Sequence, residues 1–341
     1  FENTSPYFYT RKANPNSSEF EEVVRTFERA DHAISVTTGM TALSLVLNLL
    51  EAGQTLVINK DIYGCSYKLF QRLAKKRKFE LVVLDLSIEE NHKDIPNNTD
   101  MVLFETPTNP FLKTINIRKV SDKVKATNKD ALVVVDNTWS TPLFQKPLEH
   151  GADISLYSAT KYFSGHSDVM GGIIVTNHAD LAETLREERF YTGAILAPHS
   201  AWLLRRSLQT LTLRMKEHEL ITKDYMNFLK EIPQIEKIYF PEVDGKQLTN
   251  YGGIIFFEFK PHLQDAYQKF MRTLTLFGTG TGMACVTSMV AQPYSGSHAS
   301  MNEDEKKDMG VTPKLVRLCF GFEDPNDIKA DLKRAFDSLE S

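Results

Sequence analysis

Residues 131–136 read ALVVVD and residues 154–161 read ISLYSATK. Each is a short apolar run that stops abruptly at polar residues. The valines of the first do not alternate with polar residues, the pattern of a strand covered on both faces of a sheet. Working outward, the same kind of run recurs at TLVIN (55–59), ELVVLD (80–85), MVLFE (101–105) and GGIIVT (171–176). Amphipathic stretches lie between them, such as MTALSLVLNLLE (40–51) and IRKVSDKVKAT (117–127). This alternation predicts an α/β domain with a mostly parallel sheet. Ligands of such sheets bind at the carboxyl ends of the strands, so residues just after 59, 105, 136 and 157 are expected to converge.

The pattern changes after residue 200. The stretch 200–232 reads as one long helix, followed by strands GGIIFFEF (252–259) and LVRLCFG (315–321). A closing helix is capped by Asp324, with Pro325 in its first turn. This describes a smaller α+β unit with a boundary near residue 212. Near the start, Ser18 and Glu21 have the spacing of a capping box.

Composition narrows the function. The 341 residues hold 40 Lys and Arg against 44 Asp and Glu, a net charge of −4 that gives no electrostatic case for a nucleic-acid partner. The 42% hydrophobic and 25% charged content is that of a globular chain, not of a disordered one or a coiled coil. No apolar run approaches the roughly 20 residues of a membrane span. Cys65, Cys285 and Cys319 are too scattered for a disulfide framework or a zinc site, which fits a cytoplasmic protein. The nine histidines show no HExxH spacing, so no metal is indicated. The tract GTGTGM (278–283) departs from G-x-G-x-x-G and gives no dinucleotide site.

Three residues carry chemistry on their own. Lys161 follows a buried strand, where desolvation opposes its charge and makes the amine a Schiff-base nucleophile. Read alone it is also compatible with a surface loop. The hydroxyls of Ser158 and Thr160 and the glycines at 165, 171 and 172 suit a phosphate. Asp136 can pair with a protonated ring nitrogen, or serve as a cap or salt-bridge partner. Lys161 and Asp136 stand one strand unit apart on the same rim, and together they suggest pyridoxal phosphate. Arg317 lies inside the apolar strand LVRLCFG, where an unpaired guanidinium is costly. Its fork fits a carboxylate, either the α-carboxylate of a substrate or a structural partner.

The runs Asp136-Asn137-Thr138, Ser158-Ala159-Thr160-Lys161-Tyr162 and Gly165-His166-Ser167-Asp168 resemble the signature of the Cys/Met-metabolism pyridoxal-phosphate enzymes. That group includes cystathionine γ-synthase, cystathionine β- and γ-lyases, methionine γ-lyase and O-acetylhomoserine sulfhydrylase. Further matches follow in order at Tyr9-x-Arg11, Asn14-Pro15, Gly39-Met40, Tyr63-Gly64, Glu105-Thr106-Pro107-x-Asn109-Pro110, Trp202-Leu203-Leu204 and Leu315-Val316-Arg317-Leu318. The resemblance covers nearly the whole chain. It implies a fold-type-I, aspartate-aminotransferase-like large domain (13–212) with a mostly parallel seven-stranded sheet, and a smaller C-terminal α+β domain (213–341). Residues 1–12 are then the remnant of an N-terminal arm that clasps a partner subunit.

The resemblance also implies roles. Lys161 forms the Schiff base with the cofactor and then carries protons, Asp136 pairs with the pyridine nitrogen, and Tyr63 stacks on the ring with its hydroxyl near the leaving group. The amides of Gly39 and Met40 join Ser158 and Thr160 around the phosphate, at a helix N-terminus. Tyr9 and Arg11 reach the same phosphate from the neighbouring subunit of a homotetramer built as a dimer of dimers. Asn109 lies near the ring oxygen and the substrate carboxylate, Arg317 holds that carboxylate, Ser288 contacts it through its loop, and Thr287 is a further substrate-binding residue. The implied reaction is elimination or replacement at Cγ (or Cβ) of an L-amino acid carrying a thiol, acyloxy or halide leaving group. The alternatives are a purely β-eliminating C–S lyase and, from another class, a non-catalytic protein that keeps the fold.

Three departures stand out. Where the family often has Gly-Gly-x-Glu-Ser, this chain reads Ala284-Cys285-Val286-Thr287-Ser288. Thr287 at the acidic position removes a partner for the distal ammonium of a substrate such as cystathionine. The run Pro198-His199-Ser200-Ala201 likewise lacks the common acid. Cys65 stands where the family usually has glycine and is read as a packing residue.

Overall fold

The computed structural model describes residues 7–263 and 265–340. Half of the expected arm remnant, residues 1–6, lies outside them.

The first part of the chain builds a seven-stranded sheet from His32–Val36 (β1), Thr55–Asn59 (β2), Glu80–Leu84 (β3), Thr99–Glu105 (β4), Leu132–Asp136 (β5), Ile154–Ser158 (β6) and Gly172–Thr176 (β7). Their order is β1-β7-β6-β5-β4-β2-β3. Neighbours pair in parallel except at β7, which runs antiparallel to both β6 and β1. The unbroken valine run explains the central position of β5. Val134 packs into the core on one face of the sheet, while Val133 and Val135 pack into the core on the other.

Helices Pro15–Glu28 (α1), Gly39–Leu47 (α2), Gly64–Arg77 (α3) and Ile117–Thr127 (α4) flank the sheet. The start of α1 corrects the expected capping box. The cap is Asn14, whose Oδ1 accepts from the Ser17 amide at 3.0 Å. Glu21 instead reaches across to β1, accepting from the Ser35 amide and hydroxyl at 2.8 and 2.7 Å and from Arg189 at 2.6 Å.

A second sheet is made by Ile235–Tyr239 (β8), Ile254–Phe259 (β9), Gly278–Thr279 (β10), Met289–Ala291 (β11) and Leu315–Cys319 (β12), in the order β10-β11-β12-β9-β8. Its core is aromatic: Phe257, Phe259, Phe270, Phe320 and Phe336 are each at most 1% exposed. Burying each such ring contributes about 1.5–3 kcal/mol. The expected single helix over 200–232 is two helices, Pro198–Leu208 and Leu211–Lys230. At the break the freed carbonyl of Ser207 accepts from the Thr210 hydroxyl at 3.1 Å and from Arg214 at 3.0 Å. Asp324 caps the last helix, Pro325–Asp337, as read from the sequence.

Candidate active site

The parallel strands β4, β5 and β6 all point their carboxyl ends to one rim. Register places Glu105 beside Asp136, and Ser158 beside Gly172 of β7. Thr38 and the start of α2 come down onto this rim. At Gly172 an added Cβ would sit 2.2 Å from the Thr38 carbonyl oxygen, and at Gly39 it would sit 2.8 Å from Cβ of Ser158. Only glycine permits both approaches. They enclose one end of a cavity of about 300 Å³.

Nine of the predicted site residues line that cavity: Gly39, Met40, Tyr63, Asn109, Asp136, Ser158, Thr160, Lys161 and Arg317. Asp136 takes both the amide and the hydroxyl of Thr138 on Oδ1, at 3.0 and 2.6 Å. Its Oδ2 has no hydrogen-bond partner among the described residues. Burial pushes this carboxyl up to about 6, against the lowering effect of the Thr138 bonds. Burial lowers the pKa of the Lys161 amine, and the nearby Arg317 cation lowers it further. Tyr63 immediately precedes α3 without making a capping bond, and its phenol is held well above its ordinary value by burial, then by Cys65 beside it.

Arg317 is 2% exposed, and its Nη2 donates to the carbonyls of Thr281 and Gly282 at 3.1 and 2.8 Å. Its Nε is buried without a partner, and no carboxylate pairs with it among the described residues. The structural ion pair that the sequence left open is therefore not what places this guanidinium. Asn109 likewise leaves its Oδ1 buried and unpartnered.

Four predicted residues lie elsewhere. The Ser288 side chain is turned away from the cavity: its amide and hydroxyl donate to Glu323 at 2.7 and 2.8 Å, and its hydroxyl accepts from the Gly321 amide, inside the second sheet's loops. Thr287 is exposed, and its carbonyl accepts from the Cys285 thiol at 3.1 Å. Neither side chain lines the cavity. Tyr9 and Arg11 sit on the outside of their own chain. The Arg11 guanidinium lies 4.3 Å over the Phe190 ring and donates to the Phe190 carbonyl at 2.7 Å.

The cavity also contains residues that sequence reasoning passed over, chiefly Glu105, Trp139, Thr281 and Met283. Glu105 was legible, since it closes MVLFE as Asp136 closes ALVVVD. Thr281 and Met283 were not, because the tract GTGTGM that holds them matches no binding motif and is distant in sequence.

The donor set fits a phosphorylated pyridine. Free amides at the N-terminus of α2 and the unpartnered Ser158 hydroxyl suit a phosphate, the free oxygen of Asp136 suits a ring nitrogen, and Lys161 suits a carbonyl carbon. A lysine-bearing cofactor enzyme of the α/β class is the kind of protein that this fold and site define.

Residues 1–337 match the family described as Cys/Met metabolism PLP-dependent enzyme. The cystathionine gamma-lyase of Dictyostelium discoideum is 34% identical over 98% of this chain and 88% of its own length. The cystathionine beta-lyase of Lactococcus lactis subsp. cremoris (strain MG1363) is 33% identical over 97% and 88%. The crystal structure of cystathionine gamma synthase from Xanthomonas oryzae pv. oryzae in complex with cystathionine superposes with a TM-score of 0.95 at 34% identity, covering 100% of this chain and 90% of that one. The chain belongs to the Cys/Met-metabolism enzymes that depend on pyridoxal phosphate (PLP).

Proposed function

We propose that the chain catalyses elimination or replacement at Cγ (or Cβ) of an L-amino acid with a thiol, acyloxy or halide leaving group. The observation that carries this is the set of groups around one cavity left unmatched among the described residues: the Arg317 guanidinium without a carboxylate, the Lys161 amine without a partner, and one free oxygen on Asp136. Bound pyridoxal phosphate supplies the electron sink that stabilises negative charge at the substrate Cα. Gly39, Met40, Ser158 and Thr160 hold its phosphate, Asp136 its ring nitrogen, Asn109 its ring oxygen and Tyr63 its ring face.

The chain's own residues then divide the work. Arg317 grips the substrate carboxylate in two-point geometry and fixes Cα in front of Lys161. The Lys161 amine, made less basic by burial and by Arg317, accepts the Cα proton and moves a further proton from Cβ when the leaving group is on Cγ. Tyr63, held protonated, donates to the departing group. Relatives named cystathionine gamma-lyase and L-methionine gamma-lyase at 34% identity support Cγ chemistry. A cystathionine beta-lyase at 33% keeps pure β-elimination as the second reading. Pyruvate as product assigns β-elimination, and a four-carbon keto acid or a homocysteine-type adduct assigns Cγ chemistry. Turnover by purified Lys161→Ala protein would overturn the reading.

The same proposal extends to assembly and location. The positions of Tyr9 and Arg11 outside their own cavity support a homotetramer in which they complete a neighbour's phosphate site. An active monomer in sedimentation would dismiss it. The two separate sheets support a large domain over 13–212 and a small one over 213–341. The unpaired state of all three cysteines supports a reducing cytoplasm. No helix among the described residues is long and apolar enough to cross a membrane.

A further inference from the structure

We infer that Glu105 is a positioning residue for this reaction, an uncharged acid that fixes Tyr63 while Asp136 keeps the negative charge of the pair. The inference rests on the proposed cofactor site and deepens it. Glu105 and Asp136 end neighbouring parallel strands as register partners, so their side chains leave the same face of the sheet next to each other. Both line the cavity. Asp136 has an evident use there, and Glu105, 4% exposed, has none so far.

The contacts of Glu105 point to Tyr63. Its Oε1 accepts the Tyr63 amide at 3.0 Å, at the residue where α3 begins. This contact holds the backbone from which the Tyr63 side chain reaches the cavity. Its Oε2 is buried with no partner among the described residues. A buried carboxylate with one oxygen unmatched is costly, whereas a neutral acid in the same place is not.

The charges facing Glu105 agree. Asp136 comes from β5, Asp61 from the loop before α3, and Tyr63 from the start of α3. Asp61 is matched by Lys113 at 2.7 Å, which leaves Asp136 as the unmatched charge nearby. Two adjacent carboxyls in a dry site do not both ionise, and the more buried one keeps the proton. Burial, then Asp136, holds Glu105 well above the carboxylate range, while Asp136 rises only to about 6. The negative charge therefore belongs to Asp136, where a ring nitrogen needs it.

Three variants test this: Glu105→Ala, Glu105→Gln and Glu105→Ala combined with Tyr63→Phe. The wild-type visible cofactor band is recorded first; its absence would count against the cofactor reading itself, while Glu105 is judged by differences from it. Glu105→Ala should lower kcat about tenfold or more and alter the circular dichroism of the bound cofactor. Glu105→Gln keeps the acceptor without a charge, so it should recover kcat and cofactor affinity to within about threefold. In the Tyr63→Phe background, removing Glu105 should cost less than about threefold more, because both changes act on one ring. If the alanine variant does not fold, Glu105→Asp, which withdraws the acid by one methylene, should show the same loss of kcat and the same changed dichroism. Cofactor affinity as weak in Glu105→Gln as in Glu105→Ala would mean that the charge is what matters, and would overturn the inference. So would full additivity with Tyr63→Phe.

Discussion

The buried acid Glu28, which does not line the cavity, gives a quantitative test of the packing. It lies on α1 at 1% exposure and accepts the hydrogen of the Tyr157 hydroxyl. Its Oε2 is buried without a partner among the described residues. Burial raises this carboxyl from 4.5 to about 7, against the opposing bonds from Tyr157 and Ser155. A group that holds its proton more tightly in the fold stabilises fully below its unfolded value and loses that stabilisation as pH rises through its folded one. The window therefore runs from about pH 4.5 to about pH 7. At roughly 1.4 kcal/mol per pH unit, ionisation costs the fold on the order of 3 kcal/mol. Glu28→Gln cannot ionise and keeps an oxygen for Tyr157. Urea unfolding between about pH 5 and pH 8 should then show the wild type losing most of those ~3 kcal/mol while the variant loses correspondingly less. Two parallel stability curves would refute the claim that this acid is neutral in the fold.

Two further outcomes follow from the cavity. Replacing Arg317 with Lys keeps the charge but loses the fork and the donors to the Thr281 and Gly282 carbonyls. KM for the amino-acid substrate should rise about 100-fold, with a smaller change in kcat, read from initial rates. Gly39→Ala places a methyl 2.8 Å from Cβ of Ser158, so cofactor affinity should fall about tenfold or more in fluorescence titration of the apo-protein. Unchanged affinity would mean that α2 shifts freely and does not define the phosphate end.

The readability of the sequence followed what each residue is buried against. β5 was plain because valines cover both of its faces. β1 was missed because HAISV opens on a histidine and carries a polar Ser35 before its last residue; that buried serine is satisfied by Glu21, from α1, which accepts its amide and hydroxyl. β8 has two of its five residues exposed and none fully buried, so it carries little apolar signal. In the site, strand ends could be located by where apolar runs stop, which put Asp136, Ser158 and Lys161 on one rim. The partner of Ser288 was not legible, because nothing local announces Glu323, 35 residues on.

The grip on Arg317 has a consequence for how this site tolerates change. One of its nitrogens, Nη2, rests on the backbone carbonyls at 281 and 282. An acceptor supplied by the main chain survives replacement of the side chain that accompanies it. Residue 281 can therefore vary along the cavity wall and reshape the room left for a substrate, while the guanidinium stays where it is. What that loop cannot absorb is a change in length, because one inserted residue moves both carbonyls at once.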